Sequence, residues 1–280
     1  MMAAADLHIH SWYSDGELSP EAIVERAKSL GLRCISITDH DSVEGVSAAL
    51  RRGAELGLEV IPGVELSTIF HGRDVHILGY FVDIHDRVLL DYLQLFRDKR
   101  HGRAERMVRK LNALGVPIKI EMVLEKSRFG CIGRPHVATV MVDQGFVSSV
   151  DEAFARYIGY DRPAYEDKYQ ISPADAIQII DLAGGISVLA HPGTYFRYQI
   201  IADLAKWGLS GIEVVHPKHA PELVLHYERI AEEYGLLKTG GSDCHRDMEP
   251  ESALDMLRIP YSYVEDMKVF NRSLGAGIRG

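Results

Sequence analysis

Short β-rich runs alternate with amphipathic helical patterns along most of this chain, and this alternation restricts the fold more than any other feature. Seven runs are predicted to be strands: Ala3–His8, Cys34–Thr38, Glu59–Glu65, Val75–Phe81, Ile186–Ala190, Gly211–Val215 and Leu236–Gly240. Amphipathic segments such as Pro20–Leu30 and Pro221–Tyr234 separate most of them. Repeated βα units favour parallel strands with right-handed crossovers, so the sequence predicts an α/β fold, either a barrel or an open sheet.

The alternation is interrupted between the fourth and fifth predicted strands. Residues 89–169 have wholly helical patterns, including the long charged stretch "LLDYLQLFRDKRHGRAERMVRKLNALG". We therefore expect an inserted helical substrate subdomain at 89–169 and a barrel domain made of 1–88 and 170–280. The final stretch "ALDMLRIPYSYVEDMKVFNRSLGAG" is expected to add a last strand and helix that pack on the barrel.

Composition excludes several classes of protein. A formal net charge of −9 argues against a broad basic surface that coats nucleic acid, so any phosphate must be bound locally. No stretch approaches the roughly 20 apolar residues of a membrane helix. The three cysteines, Cys34, Cys131 and Cys244, are odd in number and widely spaced, which is typical of a reducing compartment. We expect a cytoplasmic protein that does not associate with a membrane, and no motif indicates a protein partner.

Polar side chains cluster where the apolar runs stop. His8 and His10 are two positions apart, so they project from the same face of the first strand, and Asp243 and His245 repeat this spacing after the seventh. His40, Glu65 and His191 follow or end three other strands. In β/α barrels the carboxyl ends of the strands meet at one face. The pattern therefore predicts a site with nitrogen and oxygen ligands, which suits Zn²⁺, Mn²⁺ or Fe²⁺.

More than four such ligands indicate more than one metal ion. Clustered divalent ions lower the pKa of water and neutralise charge on a phosphoryl group. We therefore expect hydrolysis, with a hydroxide that bridges the metals as the attacking group and no nucleophilic side chain. Asp39 and Asp41 flank His40, and we expect them to cap the turn or to orient that histidine rather than to bind metal.

The chain resembles a known family in an ordered set of motifs. "DLHIHSWYSDG", "SITDHDS", "GVELS", "VHILGY", "LAHPG" and "GGSDCH" are similar to those of the PHP (polymerase and histidinol phosphatase) domain phosphoesterases, and they span about residues 6–246. The resemblance implies a distorted barrel of seven βα units with an inserted helical subdomain. It also implies a metal-dependent hydrolase of phosphate esters that holds three divalent ions, Mn²⁺, Zn²⁺ or Fe²⁺, with Mg²⁺ as an alternative.

The same resemblance implies a set of catalytic metal ligands. One ion would be held by His8, His10, Glu65 and Asp243. A second would share Glu65 and add His76 and His191, and a third would take Asp15, His40 and His245. His76 lies near the start of an apolar run, so spacing alone left a structural histidine equally open, and only the motif supports it as a ligand.

Substrate binding needs positive charge that the overall composition does not supply. Arg134 and His136 stand at the start of a predicted helix, where a guanidinium and free N–H groups can hold a phosphate. The resemblance supports that role, because an Arg-x-His in the inserted subdomain is associated with phosphate binding in the small-nucleotide enzymes. Arg197 is a second candidate, and His216 is a candidate proton donor to the leaving group.

The predicted reaction is removal of the 3′-phosphate from a nucleoside 3′,5′-bisphosphate, the activity of the nucleotide-directed branch that the chain resembles. The predicted partner is thus a small phosphorylated nucleotide. Alternatives within the family are a histidinol-phosphate phosphatase and a 5′-3′ exonuclease on short RNA. A metal-binding module without catalysis and C–N bond hydrolysis are alternatives of other classes.

Overall fold

The computed structural model describes residues 4–127, 132–169, 171–193, 198–246 and 259–277. The chain forms two compact units, one of Met1–Leu90 with Gln170–Gly280 and the other of Asp91–Tyr169. These limits lie within two residues of the expected boundaries at 88/89 and 169/170. The functional division into a barrel domain and a substrate subdomain stays a prediction.

The larger unit contains an eight-stranded sheet in the order β7-β6-β5-β4-β3-β2-β1-β8. The strands are β1 Ala4–Ile9, β2 Cys34–Ile37, β3 Glu59–Phe70, β4 Arg73–Tyr80, β5 Ile186–Leu189, β6 Gly211–Val215, β7 Leu237–Gly240 and β8 Ile259–Pro260. A parallel bridge between Ile9 and Cys244 joins β1 to the residues that follow β7, so the sheet nearly closes on itself. The predicted distorted α/β barrel is confirmed.

The described helices surround this sheet or form the inserted unit. They are α1 Pro20–Ser29, α2 Val46–Leu56, α3 Arg87–Ala113, α4 Ile120–Ser127, α5 Arg134–Asp143, α6 Val150–Ala153, α7 Pro173–Leu182, α8 Tyr198–Lys206, α9 Pro221–Tyr234 and α10 Tyr261–Gly277. Ser19 caps α1 by accepting from the Ala22 amide, and Pro20 occupies the first turn, where its missing N–H costs nothing. None of the helices in the described parts of the chain is long and apolar enough to cross a membrane.

The expectation of parallel strands in the repeated units is wrong for β4, and no direction was predicted for the last strand, β8. β4 is antiparallel to both β3 and β5, and the short β8 is antiparallel to β1. β3 and β4 are joined directly by His71 and Gly72, which have positive φ angles of 50° and 75°. A two-residue turn of this kind closes a hairpin, because its twist matches that of the flanking strands. The start of β4 therefore lies at the same edge of the sheet as the ends of its neighbours.

Apolar side chains fill the barrel and its outer layer. Inside, Leu7, Leu78, Tyr80 and Val188 belong to one buried cluster, and the Tyr80 hydroxyl donates to the Leu7 carbonyl at 2.9 Å. Helix α10 adds Val264 and Met267 to this cluster, and β8 adds Ile259, as expected for the last strand and helix. A separate outer cluster packs α1 against β1 and β2. These layers fix the strand ends that carry the polar residues.

The inserted unit has a hydrophobic core of its own. Buried residues from α3, α4 and α5, including Met107, Leu111, Val123 and Met141, form a single cluster. A π-helical turn, Phe154–Ile158, continues α6, and Ile158 is buried in the same cluster. The unit thus holds its shape through internal packing, and the prediction that the insertion is mainly helical is correct.

Candidate metal centre

Strand ends of the barrel bring together all nine residues that the motifs indicated as ligands. His8 lies within β1 and His10 directly after it, Glu65 within β3, and His76 within β4. The others follow strands or occupy the loop after β1: Asp15, His40, His191, Asp243 and His245. Their side-chain nitrogen and oxygen atoms form four groups in which all atoms lie within 4.8 Å of one another.

The Glu65 carboxylate stands at the middle of the cluster and is fully buried. Its Oε1 lies 2.9 Å from His76 Nδ1 and 3.1 Å from His191 Nε2. Its Oε2 lies 3.0 to 3.3 Å from ring nitrogens of three further histidines, His8, His10 and His40. One carboxylate in contact with five imidazoles is suited to bridging metal ions.

Two aspartates complete the cluster. Asp243 Oδ1 lies 3.3 Å from His10 Nε2 and 3.6 Å from both His8 Nε2 and His245 Nδ1. Asp15 Oδ1 lies 3.3 Å from His245 Nε2 and 3.9 Å from His10 Nδ1. A mixed set of imidazole nitrogens and carboxylate oxygens suits divalent ions of intermediate hardness.

The four groups of atoms overlap the predicted ligand sets without reproducing them. They are His10 with Asp15, His40 and His245; His8 with His10 and Asp243; His8 with Glu65 and His191; and His40 with Glu65 and His76. The partition of the nine residues among individual ions therefore stays a prediction.

The cluster fits cations better than it fits a self-contained hydrogen-bond network. Glu65 Oε2 and His40 Nδ1 are both buried, and neither makes a hydrogen bond within the described residues although they lie 3.0 Å apart. A buried carboxylate oxygen without a donor is costly unless a positive charge faces it. Divalent ions held by these residues would satisfy both atoms.

The electrostatics of the cluster point the same way. Burial opposes ionisation of Glu65, but the neighbouring His40, His8 and His76 hold its pKa well below the ordinary value. Burial likewise opposes protonation of His10, yet the neighbouring carboxylates of Asp243 and Glu65 raise its pKa to about 10. A metal ion binds the deprotonated ring, so metal binding at His10 would compete with protonation, and we expect metal affinity to rise with pH.

His76 joins the cluster because β4 runs antiparallel. His76 pairs with Ser67 across the hairpin, and its carbonyl accepts from the Ala190 amide, so the beginning of β4 meets the ends of β3 and β5. A residue near the start of an apolar run therefore reaches the same face as the ligands at the ends of parallel strands. The reversed strand direction removes the objection that spacing raised against His76.

Asp39 and Asp41 lie in none of the four ligand groups, and both brace loops. Asp39 accepts from the Ser11 amide at 2.7 Å and from the hydroxyls of Ser11 and Ser14 at 2.6 Å. Asp41 accepts from the Ser67 amide at 2.9 Å and from its hydroxyl at 2.8 Å. These contacts support the interpretation of both residues as structural neighbours of His40.

Comparison with known proteins identifies the family of this fold and metal centre. A model of the PHP domain matches residues 6–117. The chain is 32% identical over 250 residues to the 3′,5′-nucleoside bisphosphate phosphatase of Chromobacterium violaceum, which covers 87% of this chain and 88% of that protein. The chain belongs to the PHP family. This PHP chain is also 30% identical over 248 residues to the 5′-3′ exoribonuclease Rnm of Escherichia coli K12, which covers 86% of this chain and 85% of that protein.

Solved structures agree with the family. The candidate metal-dependent phosphoesterase of Bifidobacterium adolescentis superposes on the PHP chain with a TM-score of 0.84 and 30% identity, which covers 94% of each chain. An amidohydrolase of Chromobacterium violaceum, solved with bound sulfate, gives a TM-score of 0.77 at 31% identity and covers 88% of this chain and 89% of its own. The PHP chain is a metal-dependent hydrolase of phosphate esters.

Two of the three predicted substrate residues, Arg134 and His136, belong to the inserted unit. Arg134 begins α5 in the inserted unit, and its guanidinium lies over the rings of Tyr160, Phe154 and Tyr165 at 4.8, 5.3 and 5.6 Å. The His136 ring nitrogen Nδ1 accepts from the Gly133 amide at 3.0 Å, so this ring caps the helix. Arg197 lies outside the described residues.

Sequence reasoning missed Glu213, a fully buried carboxylate in β6. Its Oε1 lies 3.1 Å from His8 Nδ1, and its Oε2 accepts from the His191 amide at 2.6 Å. A signal was present in the stretch "GIEVV", where an acidic residue interrupts an otherwise apolar strand of the PHP barrel. Such a residue needs partners inside the fold.

Proposed function

We propose that this PHP protein removes the 3′-phosphate from nucleoside 3′,5′-bisphosphates, with the inserted unit as its substrate subdomain. The proposal depends on one observation in particular: two buried nitrogens in the inserted unit, Arg103 Nη2 and Arg134 Nη1, make no hydrogen bond to the described residues. The bisphosphate phosphatase of Chromobacterium violaceum supports it as a relative.

The arginine set provides the charge that a second phosphate requires. Arg103 is only 6% exposed, its Nε donates to the Glu166 carbonyl, and its Nη2 is one of the buried nitrogens. Arg134 Nη1 is another. Burial and the nearby charges of Arg134 and Arg100 lower the pKa of Arg103 to about 10. A phosphate bound by these guanidinium groups reduces the repulsion between their positive charges and accepts hydrogen bonds from their N–H groups.

Metal ions held by the nine ligands, with Mn²⁺, Zn²⁺, Fe²⁺ or Mg²⁺ as candidates and three as the proposed number, would activate water and neutralise charge on the phosphoryl group that is cleaved. The chain itself contributes orientation. Glu65, Asp243 and the histidines hold those ions, while Arg103 and Arg134 bind the phosphate that is kept.

His216 fits a positioning role better than the proton-donating role considered from the sequence. Its Nδ1 accepts from the Lys218 amide at 3.1 Å, so in the neutral ring the proton is on Nε2. That nitrogen lies 3.4 Å from Asp243 Oδ2, and the residue is 2% exposed. The proton therefore faces a proposed metal ligand, and we propose that His216 orients Asp243.

A 5′-3′ exoribonuclease acting on short RNA is the second candidate. The relatives from Escherichia coli and Haemophilus influenzae carry that name, and the latter is 34% identical over 246 residues. Both candidate substrates present two phosphates on one ribonucleotide unit, so the same arginines serve either.

A cytoplasmic location is part of this proposal, and it is supported by the two described cysteines, which are both free thiols.

Phosphate release from Mn²⁺-reconstituted protein tests the proposal. The substrates are adenosine 3′,5′-bisphosphate, 3′-AMP, 5′-AMP, histidinol phosphate and a short 5′-phosphorylated RNA. We expect the bisphosphate to be preferred over 3′-AMP, and Arg134→Ala and Arg103→Ala to remove that preference. Each lost charge-assisted hydrogen bond is worth about 1.5–3 kcal/mol, which is roughly 10- to 150-fold in kcat/KM.

Arg156→Ala provides the matched control, because Arg156 lies in the same unit but is exposed and pairs with Glu152 four residues earlier. We expect it to retain the preference. Equal rates on the bisphosphate and 3′-AMP would contradict the proposal. Preference for histidinol phosphate or for the RNA would replace it with the corresponding alternative, and no release from any substrate would favour a metal-binding module.

A further inference from the structure

Strand β6 differs from strands β1 to β5 and β7 because none of the nine proposed ligands lies on it or in the few residues after it. It carries instead the fully buried Glu213. A carboxylate is not kept in a barrel interior without compensation, because its desolvation costs several kcal/mol. Its two oxygens therefore indicate what the strand does.

Both oxygens of Glu213 contact donors on proposed metal ligands. An ionised carboxylate only accepts, so the His8 Nδ1 at 3.1 Å must carry the proton of that ring. The lone pair of His8 is then on Nε2, which lies 3.3 Å from Glu65 Oε2 and 3.6 Å from Asp243 Oδ1. Glu213 thus selects the tautomer that presents His8 to the centre of the cluster.

The second oxygen fixes a strained backbone. His191 has a φ of 25°, which a residue with a side chain rarely adopts, and its amide donates to Glu213 Oε2 at 2.6 Å. Two residues later, the Gly193 amide donates to His219 Nε2 at 3.1 Å, and its carbonyl accepts from the Tyr227 hydroxyl at 2.6 Å. β6, α9 and their connection thus hold the loop of His191 on both sides.

We propose that Glu213 is a positioning residue that sets the tautomer of His8 and the backbone of His191 for metal binding. Because both of its oxygens already face N–H donors, Glu213 acts through these ligands rather than by binding metal itself. This inference rests on the proposed metal ligation. It goes beyond that proposal because it assigns a role to β6, the strand that carries none of the nine proposed ligands.

The test compares Glu213→Gln with a matched variant, Glu59→Gln, on another strand of the same barrel. Glu59 lies at the start of β3, where it accepts from the Tyr261 hydroxyl at 2.6 Å and pairs with Lys268. Zn²⁺ affinity is measured by competition with a chelating dye on the intact protein. Long-range ¹H–¹⁵N spectra of the Zn²⁺-loaded protein, labelled in histidine, report the tautomer of each ring.

For Glu213→Gln we expect Zn²⁺ affinity to fall roughly 10- to 100-fold. We also expect the His8 ¹⁵N shifts to move, because an amide in place of the carboxylate cannot accept from both donors. Glu59→Gln should stay within about twofold of wild type in affinity, whatever stability it loses. An unchanged affinity and an unchanged His8 signal in Glu213→Gln would overturn the inference, as would an equal loss in Glu59→Gln.

Glu213→Asp serves if the glutamine variant does not fold. It keeps the charge but is shorter by one methylene, so it cannot reach both donors, and a loss of Zn²⁺ affinity is again expected. Wild-type affinity in that variant would refute the positioning role. Failure of the wild-type protein itself to bind Zn²⁺ would instead overturn the proposed ligation on which the inference rests.

Discussion

We expect Asp6 to contribute less to stability at neutral pH than at mildly acidic pH, and its replacement by asparagine should reveal by how much. The carboxyl is fully buried in β1. Its Oδ1 accepts from the amides of Ser242 and His8 at 2.9 and 3.2 Å, whereas its Oδ2 is buried without a hydrogen-bond partner in the described part of the chain. Burial raises its pKa from 3.8 to about 6, against the opposing effect of the bonds from Ser242.

The sign follows from proton linkage. The folded protein binds the Asp6 proton more tightly than the unfolded chain does, so this carboxyl lowers the free energy of unfolding as the pH rises from about 4 to above 6. A shift from 3.8 to about 6 corresponds to about 3 kcal/mol in total. About half of it, roughly 1.4 kcal/mol, falls between pH 5 and pH 7.5.

Asp6→Asn keeps the accepting oxygen and removes the charge. Urea unfolding in the presence of a chelator, followed at pH 5, 6 and 7.5, gives the free energy of unfolding of each protein. Between pH 5 and pH 7.5, we expect the free energy of unfolding of Asp6→Asn to increase by about 1.4 kcal/mol relative to that of wild type. The control Asp181→Asn, at an exposed position, should show the same pH dependence of the free energy of unfolding as wild type. Parallel pH profiles for Asp6→Asn and wild type would refute this reasoning.

Three further predictions concern the site and its support. Glu65→Gln should leave the circular dichroism spectrum intact but abolish Mn²⁺-dependent phosphate release, because Glu65 contacts five of the proposed ligands. A Glu65→Gln variant that is active after reconstitution with Mn²⁺ would contradict the ligand assignment. Metal should stabilise the fold by about 2.7 kcal/mol at 100 times its Kd, and a thermal melt that is unchanged by chelation would contradict a site within the barrel. Gly241→Ala should lower both thermal stability and Zn²⁺ affinity, because the added Cβ would overlap the Cβ and backbone of His8; wild-type Zn²⁺ binding in this variant would show that the close approach is not needed.

Much of the barrel and most of the site could be predicted because both follow local patterns. Strand positions followed from apolar runs, and seven of the nine grouped residues stood at or just beyond the ends of those runs, whereas Asp15 and His76 were indicated as ligands by the family motifs alone. The direction of β4 could not be predicted by counting βα units. The signal lay in the His71-Gly72 pair, which closes a hairpin and which the pattern of repeated units led us to overlook.

Among the residues that support the proposed ligands, Asp39 and Asp41 were expected from their position beside His40, whereas Asp6 and Glu213 escaped prediction for a different reason. Ligand spacing identifies side chains that converge on an ion, whereas Asp6, Asp39, Asp41 and Glu213 act on the main chain. Each is a buried carboxylate that accepts a backbone N–H from a ligand or from a residue close to one: Asp6 from His8 and Ser242, Asp39 from Ser11, Asp41 from Ser67, and Glu213 from His191. Which amide each one meets depends on strand order and register, and these are properties of the fold.

These four carboxylates also explain how the cluster keeps its geometry before metal binds. Rings and carboxylates packed within 4.8 Å of one another tend to separate or to collapse onto shared protons unless their backbones are held. A carboxylate that accepts a main-chain N–H fixes the position of a ligand without occupying its coordinating atom. Because each of these bonds is buried, its loss leaves an unpaired amide at a cost of about 1–3 kcal/mol. The PHP barrel thus uses two sets of acids, one that belongs to the proposed metal site and one that holds the backbone behind it.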